Sequence, residues 1–343
     1  MVGDRISEKE LVHRQHIQNY VLRKEDFDNF VNEVRAEYDF IAPVTGEKTK
    51  QVSTSFFTKI KDPKQIYLDK KTYYPVKGFF FHPEETIFEF RGNKIINPVI
   101  ALKQSVFFGL RRCDLNSIWH QDIVFLEENE DPFYKARRDL SILLGLHCKT
   151  GDDYCFCNSM QLKDYFDLMF YDRGEAYAIE VGSEKGEGFI QHLHEFFTPT
   201  DDTITEEEKK TINKKHLKTV DIGKDYNSEA WKKGAEICIA CGACTFLCPN
   251  CHCFTIEDEI GFDLKTGKRI REPASCQLRH FTRVAGEHIF RDTKLARFKH
   301  RIYHQIQYFR ERHDVVFCTG CGRCIEGCPV RIDWVEIINE MKE

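Results

Sequence analysis

Two short stretches of this 343-residue chain hold thiols at a spacing that can do chemistry. From residue 238 it reads CIACGACTFLCPNCHCF, with six cysteines within sixteen positions, and from residue 318 it reads CTGCGRCIEGCP. Cys238, Cys241, Cys244 and Cys248 follow the spacing C-x2-C-x2-C-x3-C and precede Pro249; Cys318, Cys321, Cys324 and Cys328 repeat it and precede Pro329. Two-residue gaps let a tight loop aim three thiolates at three corners of one cubane while its amides stay free to bond the sulfides. The small residues Gly242, Ala243, Gly320 and Gly322 suit such a loop.

This spacing, closed by C-P, is the run with which bacterial ferredoxins bind [4Fe-4S] clusters. In two-cluster proteins of that kind the fourth cysteine of each run ligates the other cluster. We therefore assign Cys238, Cys241, Cys244 and Cys328 to one cluster, and Cys318, Cys321, Cys324 and Cys248 to a second. Structural zinc and thioredoxin-like redox chemistry also use CxxC. Zinc usually takes two separated CxxC pairs, however, and here three cysteines at successive x2 gaps occur twice.

A third group is less regular. LRRCDLNSI at 110 to 118 and LHCKTGDDYCFCNSM at 146 to 160 supply Cys113, Cys148, Cys155 and Cys157, four thiols that make one tetrathiolate shell. A further iron-sulfur cluster of the [4Fe-4S] type, a zinc site, and thiols without metal all remain open on the ligand count alone. Cys251, Cys253 and Cys276 are left over. They pack as structural thiols, exchange as ligands, or join His252 or His280 in a further site.

The elements that must position these groups come from patterning. To about residue 195, β-branched and aromatic runs alternate with charged helix-like stretches, as in LRKEDFDNFVNEVRAEYDFIAPV, GFFFHPEETIFEF and VIALKQSVFFGL, which predicts an α/β domain over 1–195. FDLMFYDRGEAYAIEVGS at 166 to 183 predicts a hairpin turning at Asp172-Arg173-Gly174. Residues 196–230 are polar and charged, a linker or exposed helix. From 231 to 343 we expect an α-rich, ferredoxin-like dicluster domain. Its two runs are separated by 69 residues, including a basic, aromatic stretch from Arg279 to His313 that reads as helical.

Composition narrows the classes. Lys plus Arg total 50 against 55 for Asp plus Glu, a net charge of -5 that gives no general attraction for nucleic acid. Arg279 to His313 does hold nine basic residues against three acids; a solvated amphipathic helix, a docking surface for an electron-transfer partner, or charge that stabilises reduced clusters each account for it. Apolar stretches such as SILLGL at 141 to 146 fall far below the roughly 20 residues that cross a bilayer. Fifteen cysteines after the start MVGDRISEKELVHRQH suggest a reducing, cytoplasmic setting. No G-x-G-x-x-G follows a strand, GSEKGEG at 182 to 188 has the wrong spacing, and neither a P-loop nor H-E-x-x-H occurs. We therefore expect no catalytic side chain and no nicotinamide or flavin site here.

Taken together, LRRCDLNSI, CKTGDDYCFCNSM, FDLMFYDRGEAYAIEVGSEKG and the paired runs with CPNCHCF and KHRIYHQIQYF resemble the beta subunit of cytoplasmic NiFe sulfhydrogenases, and more distantly an iron-sulfur subunit of anaerobic sulfite reductase. The likeness extends from about residue 75 to the C-terminus. It implies an anaerobic iron-sulfur electron-transfer subunit of an oxidoreductase complex. Its partners would be a flavoprotein reactive toward NAD(P)H, which carries the flavin, and a catalytic subunit such as a NiFe hydrogenase. A self-contained reductase that binds flavin or substrate in its N-terminal domain is the alternative, and a scaffold folded around clusters is a third. Arg112 departs from the RPCDL form of that family.

Overall fold

The apolar run SILLGL at 141–146 forms a strand whose six residues are all buried. That is the signature of a parallel strand covered on both faces. The computed structural model describes residues 18–48, 53–98, 102–127 and 129–341. In chain order its strands are β1 (Asn19–Arg23), β2 (Asp39–Lys48), β3 (Ser53–Lys59), β4 (Glu85–Arg91), β5 (Lys94–Ile96), β6 (Ser105–Leu110), β7 (Ser141–Leu146), β8 (Leu168–Asp172), β9 (Ala176–Val181), β10 (Thr198–Thr200), β11 (Phe254–Ile260) and β12 (Thr266–Pro273). The helices are α1 (Phe27–Glu37), α2 (Arg112–Leu126), α3 (Pro132–Asp139), α4 (Glu184–His192), α5 (Ala230–Ile237), α6 (Ala243–Phe246), α7 (Lys294–Tyr303), α8 (Phe309–His313), α9 (Arg323–Glu326) and α10 (Trp334–Glu340).

Eight strands form a mixed sheet in the order β10-β1-β9-β8-β7-β6-β2-β3. Its centre, β2, β6, β7 and β8, is parallel and its flanks are antiparallel. Alternation along the strands sends Val106 and Phe108 to one core, with Phe30 and Val34 of α1 and Phe189 of α4. Phe107 and Leu143 go to the opposite core, with Leu115 and Ile118 of α2. The expected hairpin over 166–183 is β8 and β9, which turn where Gly174 takes φ +89 and its amide donates to Asp172 Oδ1.

The carboxyl ends of β6 and β7 point toward the cysteine-rich half. Open parallel sheets bind their ligands in that place. Arg111 and Cys113 follow β6 at the start of α2, and Cys148 lies two residues beyond β7. Helix α2 is buried along most of its length, Asp114, Asn116, Ser117, His120 and Gln121 included. Such buried polar groups need partners, and the cysteine runs provide several. Gln121 Nε2 donates to Pro249 O at 2.7 Å, and His120 Nδ1 lies 3.1 Å from Phe317 O.

Two expectations are revised by this topology. Within the segment read as a linker, β10 pairs with β1, so the large sheet reaches into it. The long insert between the runs is helical only from Lys294, where α7 passes through a π-turn (His304–Tyr308) into α8. Residues 254–273 are instead the antiparallel hairpin β11-β12, which pairs through β12 with β4 in a four-stranded sheet, β11-β12-β4-β5. Arg271 of β12 is buried, ion-paired with Asp131 and stacked 4.8 Å from the Phe81 ring. The insert is thereby joined to the N-terminal half. Among the described residues no helix is long and apolar enough to cross a membrane.

Candidate iron-sulfur centre

The two cysteine runs fold alike. In each, the third residue adopts the left-handed conformation: Ala240 at φ 55 and Gly320 at φ 66. Their amides donate to the first thiol of the run, Ala240 N to Cys238 Sγ and Gly320 N to Cys318 Sγ, both at 3.4 Å. The residue difference follows from surroundings. A Cβ on Gly320 would stand 2.6 Å from Cys157 Cα and 2.8 Å from the Phe156 carbonyl carbon, so no side chain fits. Gly242 at φ 81 and Gly322 at φ 72 then open the short helices α6 and α9, which carry Cys244 and Cys324.

This folding brings the thiols around two cavities. The larger, about 60 Å³, is lined by Cys238, Cys241, Cys244 and Cys328, with Cys324 at its border. The smaller, about 20 Å³, is lined by Cys248, Cys318, Cys321 and Cys324. Each run thus sends its fourth cysteine to the other run's cavity. Arg301, Gln305, Cys324 and Trp334 line both, so they form the wall between. Among the described residues no three His, Cys, Asp or Glu side chains converge as for a single metal ion.

The electrostatics of this region ask for positive charge. Burial pushes the Cys244 thiol up to about 12 and Cys324 up to about 11, and it raises Cys318 as well. Desolvation opposes a lone thiolate, whereas a bound cationic centre deprotonates it. Further donors are in place: Trp334 Nε1 donates to Cys324 Sγ and Ile332 N to Cys328 Sγ, each at 3.4 Å. Thr319 Oγ1, at the smaller cavity, and Arg301 Nε are buried without a hydrogen-bond partner. Four thiols around an enclosed space, with unused donors in its walls, suit a cluster whose sulfides accept hydrogen bonds.

The third cysteine group lies behind the second run. Phe156 N donates to Gly320 O at 2.8 Å, Cys155 Sγ lies 3.7 Å from Cys321 O, and Phe156 is fully buried, its ring 5.4 Å from that of Trp334. Burial raises Cys113, which also feels the charge of Cys321 and Cys155. It pushes Cys157 up to about 11, with Cys148 and Cys321 adding to the effect. The four thiols therefore share one neighbourhood at the ends of β6 and β7. Asn213 Oδ1 takes a hydrogen bond from Cys157 Sγ at 3.3 Å, while its buried Nδ2 has no partner. Arg112, at the first position of α2, donates to Leu162 O at 2.8 Å and pairs with Asp164 at 3.1 Å. Proline is favoured at such a position because the amide there is unpaired anyway, and the Arg112 side chain anchors the same turn by other means.

Residues 237–332 match the family model described as a 4Fe-4S dicluster domain. Over 341 residues, sulfhydrogenase 2 subunit beta of Pyrococcus furiosus is 33% identical, an alignment that takes in 94% of this chain and 98% of the relative. The chain belongs to the sulfhydrogenase beta-subunit family. The resemblance read from the CDL, CFC and paired ferredoxin motifs is borne out, and a 4Fe-4S dicluster domain occupies the C-terminal part.

Several residues around the centre of this beta-subunit fold carry no motif that singles them out in the sequence. Lys77 is enclosed and donates to the carbonyls of Thr245 at 3.0 Å, Cys248 at 2.8 Å and Cys251 at 3.1 Å; burial lowers its pKa. Lys71 pairs with Asp152 and, at 2.9 Å, with Glu326; burial works against its charge, but Cys155 and these carboxylates raise it. Burial of a cation has no signature in a single sequence. Of the leftover thiols, Cys251 is buried, hydrogen-bonded to Cys248, and lies 3.7 Å from Gln305 Nε2. Cys276 bonds to Cys253, which holds it down to about 6. His252 packs among Phe125, His304 and Phe317, and His280 is exposed.

Proposed function

We propose that this chain is the iron-sulfur electron-transfer subunit of a multi-subunit oxidoreductase, with Cys238, Cys241, Cys244 and Cys328 holding one [4Fe-4S] cluster and Cys318, Cys321, Cys324 and Cys248 a second. The observation that carries this is the crossing of the fourth cysteines between two adjacent cavities. A third [4Fe-4S] cluster on Cys113, Cys148, Cys155 and Cys157 extends the proposal. It is supported by their meeting against the second run.

When bound, such clusters take up and release one electron at a time. The chain's own part is to hold, space and insulate. Arg301, Gln305 and Trp334 separate the cavities by the thickness of single side chains, and Phe156 and Trp334 close the second away from water. The partner read from the family, a flavoprotein reactive toward NAD(P)H, would deliver electrons singly to a catalytic subunit such as a NiFe hydrogenase, in a cytoplasmic complex. The relative's name, a sulfhydrogenase subunit, supports a hydrogenase-type complex.

The test is iron and acid-labile sulfide per chain after anaerobic purification, with EPR of the reduced protein. About twelve irons support three cubanes, about eight support the crossed pair alone, and zinc in place of iron would sink the relay reading.

A further inference from the structure

Resting on the two-cluster reading above, we infer that Arg301 is a shared positioning residue whose charge raises the reduction potentials of both clusters of the crossed pair. Arg301 lines both cavities, its residue exposure is 9%, and Nη2 donates to Cys244 O at 3.1 Å. Among the described residues no carboxylate lies within ion-pairing distance of it. The charges that act on it most come from Cys251, Cys248, Cys244 and Cys324. A guanidinium this deeply buried needs a compensating anion, and here only thiolates can supply it.

The other buried cations are arranged differently. Arg323 lies beside Cys113 and Cys321 but is neutralised by Asp114 at 2.8 Å, and Lys71 is matched by Asp152 and Glu326. Lys77 lines neither cavity and spends its donors on three carbonyls. Arg301 is thus the cation left to the clusters, with Nε unpaired. Each one-electron reduction adds one negative charge beside a fixed positive one in a low dielectric, so reduction is favoured at both clusters. Because one guanidinium serves two cavities, the effect is common to them.

The experiment is an EPR-monitored redox titration of the intact chain, native and as Arg301→Gln and Arg301→Lys, with iron and sulfide measured on each. At native iron content, Arg301→Gln should disfavour reduction of both clusters about tenfold, which for a one-electron couple is about 59 mV, and Arg301→Lys should stay near native. Unmoved potentials in Arg301→Gln, a fall at one cluster alone, or an equal fall in Arg301→Lys would each overturn the inference. Should Arg301→Gln lose iron, native chain labelled with 15N-arginine decides. Among the described residues Arg301 is the one arginine lining the larger cavity, so hyperfine coupling of a guanidinium 15N to the reduced cluster there is expected, and its absence rejects the inference. A native chain without iron and sulfide would overturn the two-cluster reading itself.

Discussion

Arg323 Nη1 lies 2.8 Å from Asp114 Oδ1, and both side chains are wholly excluded from solvent. The pair joins the first turn of α2 to the second cysteine run. Arg323 also donates from Nε to Thr72 O at 2.8 Å and from Nη2 to Thr72 Oγ1 at 3.2 Å, and Asp114 Oδ2 accepts from Arg111 N at 3.2 Å. Breaking such a pair from one side leaves an unmatched buried charge, which costs about 3–5 kcal/mol, whereas replacing both partners with apolar groups costs far less. Asp114→Ala should therefore destabilise the chain by that amount, and the double variant Asp114→Leu, Arg323→Met should recover much of it. Denaturant unfolding of the two variants measures the difference. Equal losses would show that the pair is not the junction.

Gly320 and Ala240 occupy the same place in the two runs and should answer substitution in opposite ways. Gly320→Ala introduces a Cβ 2.6 Å from Cys157 Cα at φ 66, so it must push the CFC segment away. We expect about 1–3 kcal/mol from the backbone alone, a further loss from the clash, and release of iron from the second run. Ala240→Gly relieves a left-handed alanine and should be neutral or slightly stabilising. Thermal unfolding and iron content on both variants test this, and a harmless Gly320→Ala would contradict the packing of the two loops.

Much of the centre is legible in the sequence because its cysteine pattern is local. Loop geometry follows from two-residue gaps within each run, and the β8-β9 hairpin from alternation around a Gly turn. The crossing of Cys248 and Cys328 is legible as well, since it is a property of paired runs. The hairpin over 254–273 departs from the expected helical insert although its signal is present: FTIEDEI and GKRIREP alternate around GFD. The basic stretch after it has helical composition, yet Arg279–Arg291 is largely irregular and ordinary helix starts only at Thr293, whose Oγ1 caps Ala296 N at 3.1 Å. Lys77, Asp114, Arg301 and Arg323 are illegible for a different reason. Lys, Arg and Asp are normally at the surface, and only contacts across more than a hundred residues of chain, such as Lys77 with Cys248, bury them.

Crossed ligation makes a prediction that a sequential arrangement does not. Cys328→Ser should alter the same EPR signal as Cys241→Ser, and Cys248→Ser the same signal as Cys321→Ser. If Cys328→Ser instead perturbed the signal that responds to Cys321→Ser, each run would be holding its own cluster and the assignment from the cavities would fail.

Acid sensitivity should follow from buried imidazoles. Burial lowers His120 and His304 to about 3 and His300 to about 4. A histidine kept neutral in the fold but free to protonate near 6.5 when unfolded binds more protons in the unfolded state between those values. Its contribution is therefore fully present above about pH 6.5 and is lost as pH falls toward the folded value, by at most roughly 5 kcal/mol for a group as buried as His120. The midpoint of urea unfolding should be flat above pH 7 and fall steeply from pH 6.5 to 4.5, and His120→Gln should make that fall shallower. A fall as steep in His120→Gln as in the native chain would remove His120 from the account.

Phe156 offers the most direct check that the CFC segment is part of the dicluster core. It has no solvent exposure, and its ring packs with Trp334, Ile325 and Val335 in the apolar cluster that supports both cavities. Truncating a buried phenylalanine to alanine usually costs about 3–5 kcal/mol because a cavity is left behind. The flanking thiols Cys155 and Cys157 lean on the second run through this ring, so Phe156→Ala should also speed loss of iron from the clusters on exposure to chelator, while Phe156→Leu, which keeps most of the volume, should cost less than half as much. Chelation kinetics alongside unfolding separate the two effects. A Phe156→Ala chain that loses stability yet keeps native chelation kinetics would mean that the ring serves the fold without shielding the centre.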